Sequence, residues 1–199
     1  MDRRPSRRDL LTGWLSSLRK ASPTRRGRSP DELLRPPGAL TPDDKFLEAC
    51  SRCGDCVPVC PNECLTMVTI QDDDRLPAID PALKPFVMCD TLPCVAACPD
   101  GALVNPGGPE RVRIGIARVD PRRCVTFRGS SCDRCYQVCP YPDRAIMMIG
   151  GRPLVGSGAC TGCGLCESVC PEEPKAIEII AERQLVPGLR VPKSEYQAG

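Results

Sequence analysis

The sequence predicts an α+β chain of tandem small units, with few short helices, β-hairpins and much irregular loop, tied together by metal rather than by a large apolar core. Three observations carry that expectation. The 16 Cys of the 199 residues fall into four groups, with only Cys64 outside them. Every group ends in Cys-x3-Cys-Pro, at Cys56 to Pro61, Cys94 to Pro99, Cys135 to Pro140 and Cys166 to Pro171, and a short apolar run follows each proline. The large side chains number one Trp, three Tyr and three Phe, too few to bury a sizeable core in a chain of this length.

The spacing has a chemical reason. Cys50-x2-Cys53-x2-Cys56-x3-Cys60-Pro61 recurs as Cys160-x2-Cys163-x2-Cys166-x3-Cys170-Pro171, the spacing of bacterial [4Fe–4S] ligation. Three thiolates two residues apart let one tight loop wrap three corners of a cubane, and the fourth points to a second cluster. The proline disfavours helical dihedrals at the Cys before it and so ends the intervening turn. The second group is Cys89-x4-Cys94-x3-Cys98 and the third Cys124-x7-Cys132-x2-Cys135-x3-Cys139. Disulfides give no reason for overlapping triplets, and zinc prefers separated pairs, often with His. The chain has no His, which excludes Rieske centres, His-held haem and His acid–base catalysis. The expected fold is thus a series of ferredoxin-like cluster-binding units forming two pseudo-twofold dicluster pairs, with an apoprotein that is largely unfolded.

Two regions are expected. Residues 1–40 form a basic arm and flexible linker: positions 1–36 carry ten Arg or Lys against four Asp or Glu, leaving the rest of a +2 chain mildly acidic. Ser6-Arg7-Arg8-Asp9-Leu10-Leu11 looks like a twin-arginine export signal, but the apolar stretch after it is interrupted and has no small-residue cleavage site. Read as a short helix, Leu10, Leu11, Trp14, Leu15 and Leu18 share one face, which packs on the protein's own body or docks a partner. Ala21 to Pro37 reads as linker. The arm has no aromatic interleaving, so no nucleic-acid partner is expected, and no apolar stretch is long enough to span a membrane. The expected location is cytoplasmic, with periplasmic export as the alternative.

Residues 41–199 form the cluster body. Thr41-Pro42-Asp43-Asp44 reads as a helix start, with Thr41 as cap, and Lys45 to Cys50 as the helix that delivers the first group. Leu65 to Ile70 reads as a strand and Asp72-Asp73-Asp74 as a solvated turn. Arg111 to Val119 alternates as a strand. Gly101 to Val104, Ala145 to Ile149 and Ala176 to Ile180 read as the short strands after the second, third and fourth groups. Gly150-Gly151 reads as a turn before Leu154-Val155.

Several stretches resemble the NapG, NapF and MauM type of polyferredoxin, the ferredoxin-type proteins of periplasmic nitrate reductase and methylamine-utilisation systems. They include Leu34 to Leu40, Ala49-Cys50-x-Arg52-Cys53-Gly54-x-Cys56-Val57, Leu92-Pro93-Cys94, the group at 124–140 and Ala159 to Gly164. Ser6 to Gly13 is more similar to the cytoplasmic NapF type. The resemblance implies that the outer groups, 50–60 and 160–170, pair with one another, as do the inner groups, 86–98 and 124–139. One cluster would take Cys50, Cys53, Cys56 and Cys170, the next Cys160, Cys163, Cys166 and Cys60, and a third Cys124, Cys132, Cys135 and Cys98. A fourth would take Cys89, Cys94 and Cys139, plus a Cys three residues before Cys89, where Phe86 stands. That departure leaves several outcomes open: a cubane with an exogenous or oxygen ligand such as Asp90, a [3Fe–4S] cluster, or recruitment of Cys64, which the implied pairing puts at the far end.

Nothing in the sequence resembles a substrate site or a phosphate-cradling glycine loop, so an enzyme is not expected. The first expectation is a one-electron carrier working with a redox enzyme or a quinol-oxidising membrane protein. The second is an accessory protein that binds and matures a molybdenum enzyme through its arm.

Overall fold

The computed structural model describes residues 28–196. The twin-arginine-like stretch and the Leu10–Leu18 stripe lie outside them. The secondary structure is sparse: three two-stranded antiparallel sheets and short helices, joined by loops.

Helix α1, Asp43–Ala49, starts one residue later than the sequence suggests, with Pro42 rather than Thr41 at the cap and Asp43 and Asp44 in its first turn. It ends at Cys50, whose N–H donates to the Phe46 carbonyl at 2.9 Å. Strand β1, Leu65–Gln71, pairs with β2, Asp74–Ile79, from Leu65 opposite Ile79 to Gln71 opposite Asp74. The second strand was hidden in the sequence by its acidic start and by Pro77. In a two-stranded sheet every strand is an edge, where a missing N–H is tolerated. Asp72 turns the hairpin at φ +45°, a left-handed value that Asp adopts more readily than most residues.

After the second group and its one-turn helix α2, Pro93–Ala96, the expected strand at 101–104 is reduced to a single bridge between Ala39 and Leu103. The flanking bonds run from Leu40 N–H to Ala102 O and from Val104 N–H to Gly38 O. Strand β3, Gly115–Val119, is shorter than the alternation at 111–119, because Pro109–Arg111 forms a 3₁₀ turn. After the third group, with helix α3 at Arg134–Gln137, β4 (Ile146–Ile149) and β5 (Arg152–Val155) form a hairpin. Its two-residue turn is Gly150-Gly151, both at positive φ, as a type I′ turn requires. The fourth group carries helix α4, Leu165–Ser168, and β6, Ile177–Ala181, returns to pair with β3.

One order of elements therefore occurs twice. A Cys group, a β-hairpin and a second Cys group are closed by pairing of the segments before and after them. In the first half that closure is the Ala39–Leu103 bridge, and in the second it is β3 with β6. The halves share one core, with Leu34, Phe46, Leu76, Ile79, Phe86 and Leu92 from the first and Ile116, Ile146, Ile177 and Ile179 from the second.

The linker expected through Pro37 is, from Arg28 onward, packed structure. Leu34 exchanges backbone bonds with Ile79 at 2.9 Å in both directions. Leu33 and Leu34 are buried, as are Pro36 and Pro37. Arg35 grips Asp43 through two bonds, at 2.7 and 2.9 Å, and lies over the Phe46 ring. Arg28 reaches into the second half: it donates to both carboxylate oxygens of Glu167, at 2.8 and 2.7 Å, and to the Ile179 carbonyl at 2.7 Å. Glu167 is nearly inaccessible and also accepts the Ile179 N–H at 2.9 Å. Burial raises its carboxyl above the usual range, and Arg28 opposes that shift. Arg28→Ala strands this carboxylate in the core and is expected to destabilise the holoprotein by about 3–5 kcal/mol, read as a lower denaturant midpoint at unchanged slope. A midpoint within error of the parent would refute the role given to the pair.

Candidate metal centres

The cysteines of the described residues gather into four quartets. Cys124, Cys132, Cys135 and Cys170 line a small internal volume of about 30 Å³, walled by Val119, Val125, Pro153 and Ile177. Cys139, Cys160, Cys163 and Cys166 line another of about 20 Å³, with Ala117, Ile146, Leu165 and Ile179. Cys60, Cys64, Cys89 and Cys94 line a third of about 10 Å³, with Pro37, Leu65, Phe86 and Pro93. Cys50, Cys53, Cys56 and Cys98 form the fourth quartet: burial and then its neighbours Cys50, Cys53 and Cys98 push the Cys56 thiol up to about 11. The larger surface grooves, about 1210 and 540 Å³, contain no cysteine and are rich in Arg, Lys, Asp and Glu.

This grouping corrects the pairing that the resemblance implied. Cys170 lies with the third group and not with Cys50, Cys53 and Cys56; Cys98 takes that place. Cys60 lies with Cys64, Cys89 and Cys94 and not with Cys160. Cys139 lies with Cys160, Cys163 and Cys166 and not with Cys89 and Cys94. The reason is loop closure. Each half is tied off by its own strand pairing, so groups adjacent in sequence meet across a short hairpin, which costs less chain entropy than joining groups about a hundred residues apart. Asp90, the candidate oxygen ligand, is exposed and does not line the Cys89 volume.

The electrostatics of the quartets define what they can hold. Burial is the largest effect on each shifted thiol. It pushes Cys94 and Cys64 up to about 12 and Cys135 to about 11, and sends Cys166 well above the ordinary thiol range. Neighbouring sulfurs add to the shift. Cys60 goes the other way: burial raises it, but N–H groups of Leu65, Asn62 and Cys64 outweigh burial and lower it. The Ala117 N–H likewise points at Cys160 Sγ, at 3.4 Å. Four thiolates in an apolar pocket repel one another and lack solvent, so only a multiply charged centre can hold them ionised. Among the described residues, no three Cys, Asp or Glu side chains converge on a lone-ion site; the sulfurs surround a volume. An all-sulfur, apolar, N–H-lined site of this kind fits an iron–sulfur cluster.

Glycine shapes the fourth loop. Gly162 has φ +79°, and a Cβ there would meet the Gly115 backbone at 2.5 Å. Gly164 has φ +90°, and a Cβ there would run into Pro81 of the first half. The same face carries the Phe86 N–H to Cys163 carbonyl bond, at 2.8 Å, and the Thr161 hydroxyl against Met88 Sδ at 3.5 Å.

A chain of such quartets is a ferredoxin-type 4Fe–4S protein. A model of the 4Fe–4S dicluster domain matches residues 117–171, which contain the two quartets of the second half and no other cysteine. The methylamine utilization ferredoxin-type protein MauM of Methylorubrum extorquens is 36% identical over 179 residues, covering 79% of this chain and 81% of that protein. The ferredoxin-type protein NapG of Escherichia coli is 40% identical over 146 residues, and MauM of Paracoccus denitrificans 39% over 141; each match covers 65% of this chain and 62% of the relative. The chain belongs to the ferredoxin-type family of MauM and NapG. It spans less than two thirds of the length of those last two relatives.

Gly162→Ala is expected to displace the fourth loop from β3 and to cost the holoprotein about four iron atoms per chain, one cubane's worth. Iron and acid-labile sulfide analysis checks it, and full iron retention would contradict the close approach.

Proposed function

We propose that the protein is a one-electron carrier holding four clusters in series. The observation that carries this reading is the succession of the quartets. The first set is Cys50, Cys53, Cys56 and Cys98. The next volume is lined by Cys60, Cys89 and Cys94, and Cys94 feels the charge of Cys56. The contact of Phe86 and Met88 with Cys163 and Thr161 leads to the third set, Cys139, Cys160, Cys163 and Cys166. Cys166 in turn feels Cys135 of the last set, Cys124, Cys132, Cys135 and Cys170.

Each cluster, when bound, takes up and returns one electron. The residues around it fix the sulfurs, aim N–H groups at them and keep water out. Burial is graded along the series: Cys160, Cys163 and Cys166 are buried in the interior, whereas Cys53 is exposed at one end and Cys124 and Cys132 are partly exposed at the other. The two ends are therefore the points where electrons enter and leave, and they face redox partners. A redox enzyme and a quinol-oxidising membrane protein are the partners we propose. No helix among the described residues is long and apolar enough to cross a membrane, so a membrane-bound partner would be reached by docking. We propose a cytoplasmic location. The assembly reading depended on the stripe at Leu10–Leu18, outside the described residues, and nothing in the described ones favours it.

Anaerobically purified protein is expected to be brown, to contain about 16 iron atoms per chain and to bleach reversibly with dithionite. A colourless, zinc-containing or cystine-bridged preparation would end this reading. Chelation of the iron is expected to collapse the fold, seen as loss of native circular dichroism; a near-native spectrum from iron-free protein would show that the polypeptide holds itself together.

A further inference from the structure

We infer that Cys64 is the fourth ligand of the second cluster, in the place that Phe86 leaves vacant in the second cysteine group. This rests on the proposed cluster series and extends it to a residue outside the repeated spacing. The second group offers Cys89 and Cys94 to its own volume, and the first group adds Cys60, which makes three sulfurs. The position three residues before Cys89 is Phe86, whose ring is buried in the wall of that volume and whose N–H is committed to the Cys163 carbonyl. It brings no donor.

The fourth sulfur comes from a tight turn. The Glu63 N–H donates to the Cys60 carbonyl at 3.0 Å, and Glu63 sits at φ +49°, a left-handed value that costs a non-glycine residue energy. An exposed Lys84–Glu63 ion pair of 2.7 Å adds a tie across the turn. The strained turn folds the chain back so that Cys64 Sγ stands 3.5 Å from Cys60 Sγ, in the same volume as Cys89 and Cys94. Cys64 is 4% exposed, and its next residue opens β1 with the buried Leu65. The strand thus anchors the ligand from behind. With Cys64 included, every one of the 16 cysteines belongs to a quartet, and each quartet has four sulfurs.

The test is iron content together with EPR of the oxidised, as-prepared holoprotein. Four oxidised cubanes are EPR-silent, whereas an oxidised three-iron cluster has a half-integer spin and is not. The parent chain is expected to hold about 16 iron atoms and to show no three-iron signal. Cys64→Ala is expected to lose about one iron and to gain a three-iron signal approaching one spin per chain. A Cys64→Ala protein indistinguishable from the parent would overturn the assignment. So would a parent chain with a stoichiometric three-iron signal, or one with about 12 iron atoms and an empty second site. These parent measurements decide the matter even where the variant does not accumulate. The two readings fail separately, because an iron-free chain sinks the carrier itself, whereas three cubanes beside a three-iron or empty site sink only the role of Cys64.

Discussion

The structure depends on one electrostatic demand: buried sulfur can be ionised only against compensating positive charge. Without it, burial and mutual repulsion keep the thiols protonated, at about 12 for Cys64 and Cys94 and beyond the ordinary range for Cys166. On the proposed cluster reading iron supplies that charge in each quartet, and the polypeptide adds N–H dipoles such as those of Leu65 toward Cys60 and Ala117 toward Cys160. The scarcity of ordinary secondary structure follows. Strands of four to seven residues and helices of one or two turns cannot bury enough surface to stand alone. They act as struts between metal-held loops.

The two halves are joined by backbone as much as by side chains. The Phe86 N–H to Cys163 carbonyl bond and the Pro81–Gly164 contact set the second cluster volume against the third. Arg28 crosses the same boundary, leaving the Leu33–Leu34 segment to pair with Glu167 and the middle of β6. A buried guanidinium–carboxylate pair of this kind adds little net stability over an apolar substitute, but it penalises any arrangement of the halves that leaves Glu167 unpaired. The proposed series of redox centres needs that fixed geometry, because electron transfer weakens steeply with distance.

Much of this was legible in the sequence, and the failures are instructive. The four Cys groups, helix α1, the β1 strand and the Gly150-Gly151 turn follow from spacing and turn chemistry that act over a few residues. Pairing of the groups is non-local. The sequence shows which Cys ends each group, but not which neighbouring group its sulfur meets. That depends on β3 finding β6 and on Ala39 finding Leu103, contacts without a local signature. Arg28 to Pro37 looked like linker because its Ser, Pro and Arg content masked two buried leucines. Cys64 was visible as a leftover cysteine, but with the groups paired wrongly it stood at the wrong cluster. The signal that could have found it was the joint oddity of one Cys too many after the first group and one too few before Cys89.

Cations are placed to serve the metal loops from behind. Arg52 donates to the Cys50 carbonyl at 2.6 Å, Arg190 to the Cys160 carbonyl at 2.8 Å and Lys175 to the Cys170 carbonyl at 2.5 Å. Arg190 also reaches the Gly115 carbonyl and Glu182, so one side chain ties the fourth group to β3 and to the turn after β6. In each case a cationic side chain caps the carbonyl oxygen of a Cys in one of the quartets, holding the loop from its backbone. Positive charge close to a centre that becomes more negative on reduction favours the reduced state and raises the potential. On the proposed cluster reading, the same few side chains order the loops and bias the potentials upward, which is how a chain with so small an apolar core can define both.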